Sequence, residues 1–249
     1  MYKKIVMKWM LLFPFVFAAA NSQNLLVQPE SVEFDVQQNR YLVSNFGNGC
    51  IVEIDALGNQ SYFSQDLMNT HNVVGLHIVD DQLFAAVNNG PLEGVVSFDL
   101  QSGEMANHYS IPGHDMLNDI TSDGSGYFYI SDYYASRIYK VHIESGDVSL
   151  LASQNLNYPN GIYYDSIQDR LLVLSVGGFN GPVLEVDTEN GSVSIVHATG
   201  LSGMDGITMD SSGNFYISDW TTNSVYLYDC SFNLSGIVSS GNAAPADIF

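Results

Sequence analysis

The sequence predicts an all-β protein, a six-bladed β-propeller of four-stranded antiparallel blades, and three observations support this expectation. Short runs rich in Tyr, Phe, Val and Ile alternate with Gly, Ser and Asn turns, and no long stretch shows helical periodicity. A unit of two short strands recurs along the chain at intervals of 41 to 45 residues. Most copies continue with a third strand that ends near an acidic residue, then a turn and a fourth strand, which together make one propeller blade.

The first residues have the layout of a secretory signal peptide. A basic start is followed by an apolar run and then by small residues over positions 1–20, with cleavage expected after Ala20 or as late as Ser22. The apolar run is too short for a membrane span. We therefore expect a secreted or periplasmic protein that does not cross a membrane.

The charge of the chain limits its partners. It has 27 Asp and Glu against 7 Lys and Arg, a formal net charge of −20, and three of the basic residues belong to the predicted signal peptide. A nucleic-acid partner is excluded, because such binding needs a basic surface that displaces counterions from phosphates. Cations are favoured as ligands.

The repeats define one domain over residues 25–249. The residues that open the first strand of each copy are Ser31, Gly75, Asp119, Gly161, Gly206 and Asp247. The sixth copy stops within its first strand, so we expect the last blade to be truncated in this chain; a five-bladed ring with a loose tail is the alternative. Cys50 and Cys230 fall in blades one and five, and we predict that they are unpaired because a sixth blade would separate them.

A candidate site follows from the register of the repeats. The first strand of each blade lines the central channel, and the residue before each start faces one mouth of it. These residues are Glu30, Val74, Asn118, Asn160, Asp205 and Ala246. Four of the six carry side-chain oxygens of the kind that Ca²⁺, Mg²⁺ or Mn²⁺ prefers. Asn-Gly and Asp-Gly are also favoured turn dipeptides, so a purely structural role is the alternative for each pair taken alone.

The motifs around these positions resemble those of the senescence marker protein, gluconolactonase and luciferin-regenerating-enzyme-like family of six-bladed propellers, over essentially the whole chain after the signal peptide. The matching stretches are Glu30-Ser31, Asn118-Asp119-Ile120, Pro159-Asn160-Gly161 and Asp205-Gly206. The resemblance implies that Glu30, Asn160 and Asp205 are metal ligands, that Asn118 contacts water or substrate, and that Asp205 is the general base. Val32 and Phe34 replace the family's Pro and Trp, and its sugar-binding Arg has no clear match.

The expected function is therefore that of a monomeric, metal-dependent lactonase or related ester hydrolase. Its substrate would be a lactone or a sugar-derived ester, and its cofactor Ca²⁺, with Zn²⁺, Mn²⁺ and Mg²⁺ as alternatives. One rival is a non-catalytic, NHL-like propeller that binds a protein or a glycan, and another is a metal-binding protein without turnover. His71 and His114 precede inner strands close to the predicted mouth, where they either assist the site or serve the loops.

Overall fold

The computed structural model describes residues 24–177, 179–241 and 244–248, and the predicted signal peptide at residues 1–20 lies outside them. The described residues form five antiparallel sheets of four strands, and the strands of every sheet follow one another in chain order. This arrangement confirms an all-β propeller with four-stranded blades. No helix in these ranges is long and apolar enough to cross a membrane.

Each blade runs from an inner first strand to an outer fourth strand. Blade one contains β1 Pro29–Asp35, β2 Arg40–Asn45, β3 Ile51–Asp55 and β4 Gln60–Ser64. Blade two contains β5 Asn72–Val79, β6 Gln82–Asn88, β7 Gly94–Asp99 and β8 Met105–Tyr109. Blade three contains β9 Leu117–Ser122, β10 Tyr127–Asp132, β11 Arg137–His142 and β12 Val148–Ala152. Blade four contains β13 Pro159–Asp165, β14 Arg170–Ser175, β15 Pro182–Val186 and β16 Val193–Ala198. Blade five contains β17 Met204–Met209, β18 Phe215–Asp219, β19 Ser224–Tyr228 and β20 Leu234–Ser240.

Aspartates close the turns between the third and fourth strands, as the sequence predicts. The Asp55 carboxylate accepts hydrogen bonds from two backbone amides, both at 2.8 Å. Asp99, Asp187 and Asp229 each accept a bond from the amide two residues later. Because hydrogen bonds stabilise the charged form, the pKa of each of these carboxyls lies below its usual value. These residues shape the rim of the blades.

Apolar side chains fill the space between neighbouring blades. Four buried clusters lie at the four successive interfaces from blade one to blade five. Between blades two and three, the rings of Phe84, Tyr109 and Phe128 have centroids 5.4 to 6.0 Å apart. Burial of one such side chain contributes about 1.5–3 kcal/mol. The apolar interfaces between blades therefore help to hold the inner strands around the axis.

A repeated hydrogen bond joins the second strand of one blade to the start of the next. In each case a buried serine hydroxyl donates to a backbone carbonyl at a mouth position. The pairs are Ser44 to Val74 at 2.5 Å, Ser131 to Asn160 at 2.8 Å, and Ser218 to Ala246 at 2.6 Å. The three serines are 87 residues apart and belong to blades one, three and five. Blades two and four carry Ala86 and Leu174 at the same register.

The sixth copy of the repeat contributes only an extended segment, so the described residues form five blades rather than the predicted six. Residues 244–248 still lie at the sixth position of the ring. The Asp247 amide donates to the Glu30 carbonyl at 3.1 Å, and the Ser31 hydroxyl donates to the Asp247 carboxylate at 2.6 Å. On the other side, a Cβ on Gly206 would lie 2.7 Å from the Asp247 Cα. The segment is therefore held between blade five and blade one rather than loose.

Both cysteines are free, as predicted. Cys50 is buried in blade one, where its thiol lies 3.0 Å from Asn45 Nδ2 and 3.1 Å from Asn48 Oδ1. Cys230 is exposed in the turn after β19.

Candidate functional site at the mouth of the channel

The structure brings the predicted mouth residues together on the axis. Glu30, Asn118 and Asp205 line a single constriction of the channel, with the apolar Val74 in the same ring. Asn160 precedes Gly161 of the same lining, and its side chain favours the charged form of Asp205. The repeat register therefore predicted correctly that these side chains lie close together.

A local irregularity in each blade directs these side chains. Glu30, Asn118, Asn160 and Asp205 are each the second residue of an inner strand. In all five blades the regular pairing of the first and second strands is interrupted at this point. Such β-bulges re-aim a side chain without ending the strand, and they are common beside functional sites. The bulge thus explains how a residue within a strand faces the mouth.

Asn160 is the most unusual member of the group. Its side chain is 4% exposed, and its Nδ2 donates to the Met204 carbonyl at 3.1 Å. Its Oδ1 is buried and has no hydrogen-bond partner among the described residues. A buried acceptor left in this state costs about 1–3 kcal/mol. The orphaned oxygen, beside two carboxylates, fits a positively charged ligand.

The two carboxylates lack a neutralising neighbour. Burial raises the pKa of the Glu30 carboxyl above its usual value. Burial also raises the pKa of Asp205 well above its usual value, and the charges of Glu30 and Asp247 add to this effect. The Asn160 side chain lowers the pKa of Asp205, and this smaller effect is outweighed. Two acids and an amide oxygen around one point make a site that a cation would stabilise.

No basic side chain of the described chain serves this purpose, because all four are bonded elsewhere. Arg40 and Arg170 pair with carboxylates inside blades one and four. Arg137 donates to the Gly113 carbonyl at 2.6 Å, and Lys140 donates to the Thr188 carbonyl at 3.0 Å. The mouth is therefore acidic, with no protein cation as counterion.

Below the mouth the channel narrows at a second polar layer. Ser31, Asp119 and Asp247 line the same constriction as the mouth residues. The Asp119 carboxylate accepts the Ile162 amide at 2.7 Å, yet burial and the charge of Asp247 raise its pKa well above the usual value. Further along the axis a cavity of about 90 Å³ begins, where His77 Nδ1 lies 2.9 Å from Glu33 Oε1. The constriction separates this cavity from the mouth.

The two histidines near the mouth have structural contacts. His71 is buried, its Nδ1 lies 2.7 Å from the Thr70 hydroxyl, and its Nε2 accepts the Leu92 amide at 3.1 Å. An accepting Nε2 requires the proton on Nδ1, and burial lowers the pKa of the ring. His114 Nδ1 lies 2.7 Å from the Ile111 carbonyl. Both histidines hold loops in place. Of the two expected roles, their contacts therefore favour the structural one over assistance to the site.

Three tyrosines beside the mouth were not singled out from the sequence. Tyr133 follows β10 directly, and its ring contacts those of Tyr134 and Tyr158. The sequence could have identified Tyr133, because an aromatic residue directly follows the second strand in alternate blades. These residues are Phe46, Tyr133 and Trp220. Tyr158 lies outside this pattern, and only the folded chain brings it to the cluster.

Clusters of the usual metal-binding residue types do not mark the site. Within the described ranges no group of three or more His, Cys, Asp and Glu side chains is placed to hold a metal ion. The mouth combines two carboxylates with two amides, so it differs in composition from such a group. Its suitability for a cation depends on the amide oxygens.

The comparisons with known proteins establish the fold alone. No protein-family model matches the sequence, and no curated protein matches it. A crystal structure of a nidogen/laminin complex is similar with a TM-score of 0.73 at 16% identity, covering 88% of this chain and 83% of that chain. Selenomethionine-substituted virginiamycin B lyase from Staphylococcus aureus has a TM-score of 0.67 at 16% identity, covering 88% and 73%.

A catalytically inactive virginiamycin B lyase from Staphylococcus aureus, solved with quinupristin, has a TM-score of 0.68 at 14% identity and covers 91% of this chain and 75% of that one. These neighbours thus include both an enzyme and a component of a protein complex. None of the comparisons supports membership of the gluconolactonase-like family, which stays a prediction.

Proposed function

We propose that the protein is a metal-dependent lactonase or related ester hydrolase that binds a divalent cation at the mouth of its channel. Glu30, Asn160 and Asp205 would hold the ion, with Ca²⁺ the best match for carboxylate and amide oxygens. The buried, unpartnered Asn160 Oδ1 beside two carboxylates of raised pKa is the observation that carries the proposal. Membership of the gluconolactonase-like family and export from the cell are parts of the same proposal.

The proposal also includes a ring of six positions. The Asp247 and Ala246 contacts support it, because Ala246 accepts the serine hydrogen bond that Val74 and Asn160 accept in earlier copies. With a sixth position the mouth is enclosed on all sides, which the exclusion of bulk water from a hydrolytic site requires.

In the proposed hydrolysis each residue of the site has a separate role. A bound divalent ion would polarise the substrate carbonyl and lower the pKa of a water molecule. The Asp205 carboxylate would accept the proton of the attacking water. The Asn118 amide would donate a hydrogen bond to the substrate, since it is not needed as a ligand. In this proposal the substrate would approach from the mouth, above the constriction that Ser31, Asp119 and Asp247 also line.

The cation is tested by thermal unfolding of the full chain after treatment with a chelator. Ca²⁺, Mn²⁺, Zn²⁺ and Mg²⁺ are added separately, and the Tm is measured by calorimetry. At a concentration one hundred times Kd the preferred ion stabilises by about 2.7 kcal/mol, which corresponds to a rise in Tm of roughly 5–10 °C. Glu30→Gln and Asp205→Asn should abolish this rise, because each removes a charged ligand.

Glu189→Gln provides a matched control, since Glu189 is exposed in the turn before β16 and lies away from the mouth. Asn118→Ala should keep the rise in Tm and lose turnover on a panel of lactones and aryl esters. An identical response to the ions in wild type, Glu30→Gln and Asp205→Asn would overturn the metal site.

A non-catalytic binding propeller is the second candidate. The apolar Val74 at the mouth and the structural similarity to the nidogen/laminin complex favour it. A metal-dependent rise in Tm with no turnover on any ester or lactone would move the protein to this class.

A further inference from the structure

A cluster of three tyrosines lies on the rim of the mouth, beside the start of β9. The Tyr133 amide donates to the Met116 carbonyl at 2.8 Å, which holds Tyr133 at the beginning of β9, beside Asn118. Burial raises the pKa of the Tyr133 hydroxyl, and the charge of Asp205 is among the further causes. The Tyr133 backbone thus lies next to the inner strand that carries Asn118, at the rim of the mouth.

The other two rings of the cluster are open to solvent. Tyr134 is 58% exposed, and its ring meets Tyr133 edge-on at 5.1 Å and 78°. Tyr158 is 46% exposed, and its ring is tilted by 43° against Tyr133 at 5.4 Å. Two exposed rings flanking a half-buried third form an aromatic surface beside the mouth. Such a surface favours the face or edge of another planar ring.

The backbone is strained where it presents Tyr158. Tyr158 has a φ of +59°, which is rare for a bulky residue, and Asn155 and Asn157 nearby have φ of +62° and +52°. The Tyr158 amide donates to the Ser136 hydroxyl at 3.1 Å. A Cβ on Gly177 would lie 2.4 Å from the Tyr158 ring, so glycine is required there. Strain of this kind persists where surrounding contacts impose it, and it clusters at ligand-binding sites.

The charges around the mouth narrow the class of ligand. All four Lys and Arg side chains of the described residues are bonded to other groups of the protein. A formal net charge of −20 further disfavours anions. The charge of the chain thus disfavours an anionic ring, and the aryl lactones and aryl esters that suit the proposed hydrolase carry no charge.

We propose that Tyr133, Tyr134 and Tyr158 form an aromatic subsite that binds the planar ring of an uncharged aryl lactone or aryl ester, with its carbonyl directed to the mouth. The position of the carbonyl rests on the proposed hydrolase function. The aromatic subsite rests on the tyrosine geometry and is testable by binding alone.

The test compares dihydrocoumarin, an aromatic lactone, with δ-valerolactone, which has no aromatic ring. Tyr158→Gly removes one ring and suits the positive φ, so the variant should fold at least as well as wild type. Tyr134→Leu removes the second exposed ring, and Tyr62→Ala, an exposed tyrosine on β4 of blade one, is the control. Steady-state kinetics give KM and kcat, and calorimetric titration gives Kd for dihydrocoumarin.

We expect Tyr158→Gly and Tyr134→Leu each to raise KM and Kd for dihydrocoumarin about three- to tenfold, with kcat unchanged. KM for δ-valerolactone should be unaffected, and Tyr62→Ala should behave as wild type. Equal values for wild type and both rim variants, or equal losses for the two lactones, would overturn the subsite. Binding of dihydrocoumarin that depends on the tyrosines, without any turnover, would reject the hydrolase and retain the subsite.

Discussion

At the scale of single residues, Arg40 and Arg170 serve one purpose in two blades. Arg40 Nε and Arg170 Nε each lie 3.0 Å from an aspartate five residues earlier, Asp35 and Asp165. Both aspartates are almost fully buried, and each arginine also reaches a glutamate of the third strand. The pair joins the end of the inner strand to the next two strands. In so acidic a chain, the scarce basic residues neutralise acids that the fold has buried.

We predict that Arg170→Met lowers the free energy of unfolding by about 3–5 kcal/mol, because Asp165 would remain buried without a counterion. Urea denaturation at neutral pH measures the loss. Arg137→Met is the control, since Arg137 bonds a carbonyl and a tyrosine hydroxyl and no carboxylate. The double variant Asp165→Asn, Arg170→Met should recover part of the loss, and no recovery would refute the ion-pair explanation.

At the scale of the strands, the serine bond between blades does two tasks at once. The Ser131 hydroxyl accepts the Asp119 amide at 3.0 Å while it donates to the Asn160 carbonyl at 2.8 Å. It therefore satisfies two backbone groups at the bulges of β9 and β13, where the ladder bonds are interrupted. The serine hydrogen bonds between blades thus help the strands to position the mouth residues.

Ser131→Ala should lower the free energy of unfolding by about 1–3 kcal/mol, because it leaves two buried backbone groups without a partner. Ser97→Ala is a matched control: Ser97 is also fully buried in a blade, but its hydroxyl has no hydrogen-bond partner among the described residues. That variant should be neutral or slightly stabilising in the same denaturation experiment. Equal losses in the two variants would show that the Ser131 bond contributes nothing specific.

At the scale of the whole molecule, the contact between blade five and blade one differs from the other interfaces. Tyr41 of blade one is 47% exposed, whereas Leu83, at the same register in blade two, is fully buried. Of the residues that the structure describes, those at 244–248 lie between the two blades, and the Asp247 hydrogen bonds hold them. The ring is therefore joined there by polar contacts rather than by a buried apolar cluster.

This junction should respond to pH with a defined sign. Burial, together with the charges of Glu33 and Glu30, raises the pKa of Asp247 to about 7. Its contribution to stability is complete below the unfolded pKa and is lost as pH rises through about 7. Asp247→Asn should remove this pH-dependent contribution. Between acid and neutral pH, the free energy of unfolding should therefore fall by about 1–4 kcal/mol more in the wild type than in the variant.

Urea denaturation in a chelating buffer, over a series of pH values, measures the difference. Asp210→Asn is the control with the opposite sign, because hydrogen bonds lower the pKa of Asp210 and its contribution is lost as pH falls. Parallel pH profiles for wild type and Asp247→Asn would contradict the assignment.

Much of the fold was predictable, because aligning the copies of the repeat shows which residues occupy equivalent positions in each blade. Once Gly206 and Gly161 are aligned, the preceding residues, Asp205 and Asn160, must share one mouth. The blade count was less predictable, since the sixth copy has inner-strand residues and no partner strands. The tyrosine subsite was not predictable as a unit, because Tyr133 and Tyr158 meet only through loop conformations with positive φ. The orphaned Asn160 oxygen likewise required the folded structure.

The serine bond in alternate blades has a consequence for the ancestry of the chain. A spacing of 87 residues is two blades, and it relates the three serines and equally Phe46, Tyr133 and Trp220. Duplication of a two-blade gene segment would leave this pattern. Under such a duplication Val74, Asn160 and Ala246 would be equivalent positions, and Asn160 is the polar one of the three. A substitution that exchanges residues between equivalent copies, such as Asn160→Val, would therefore show whether Asn160 is needed for the fold or only for ligand binding.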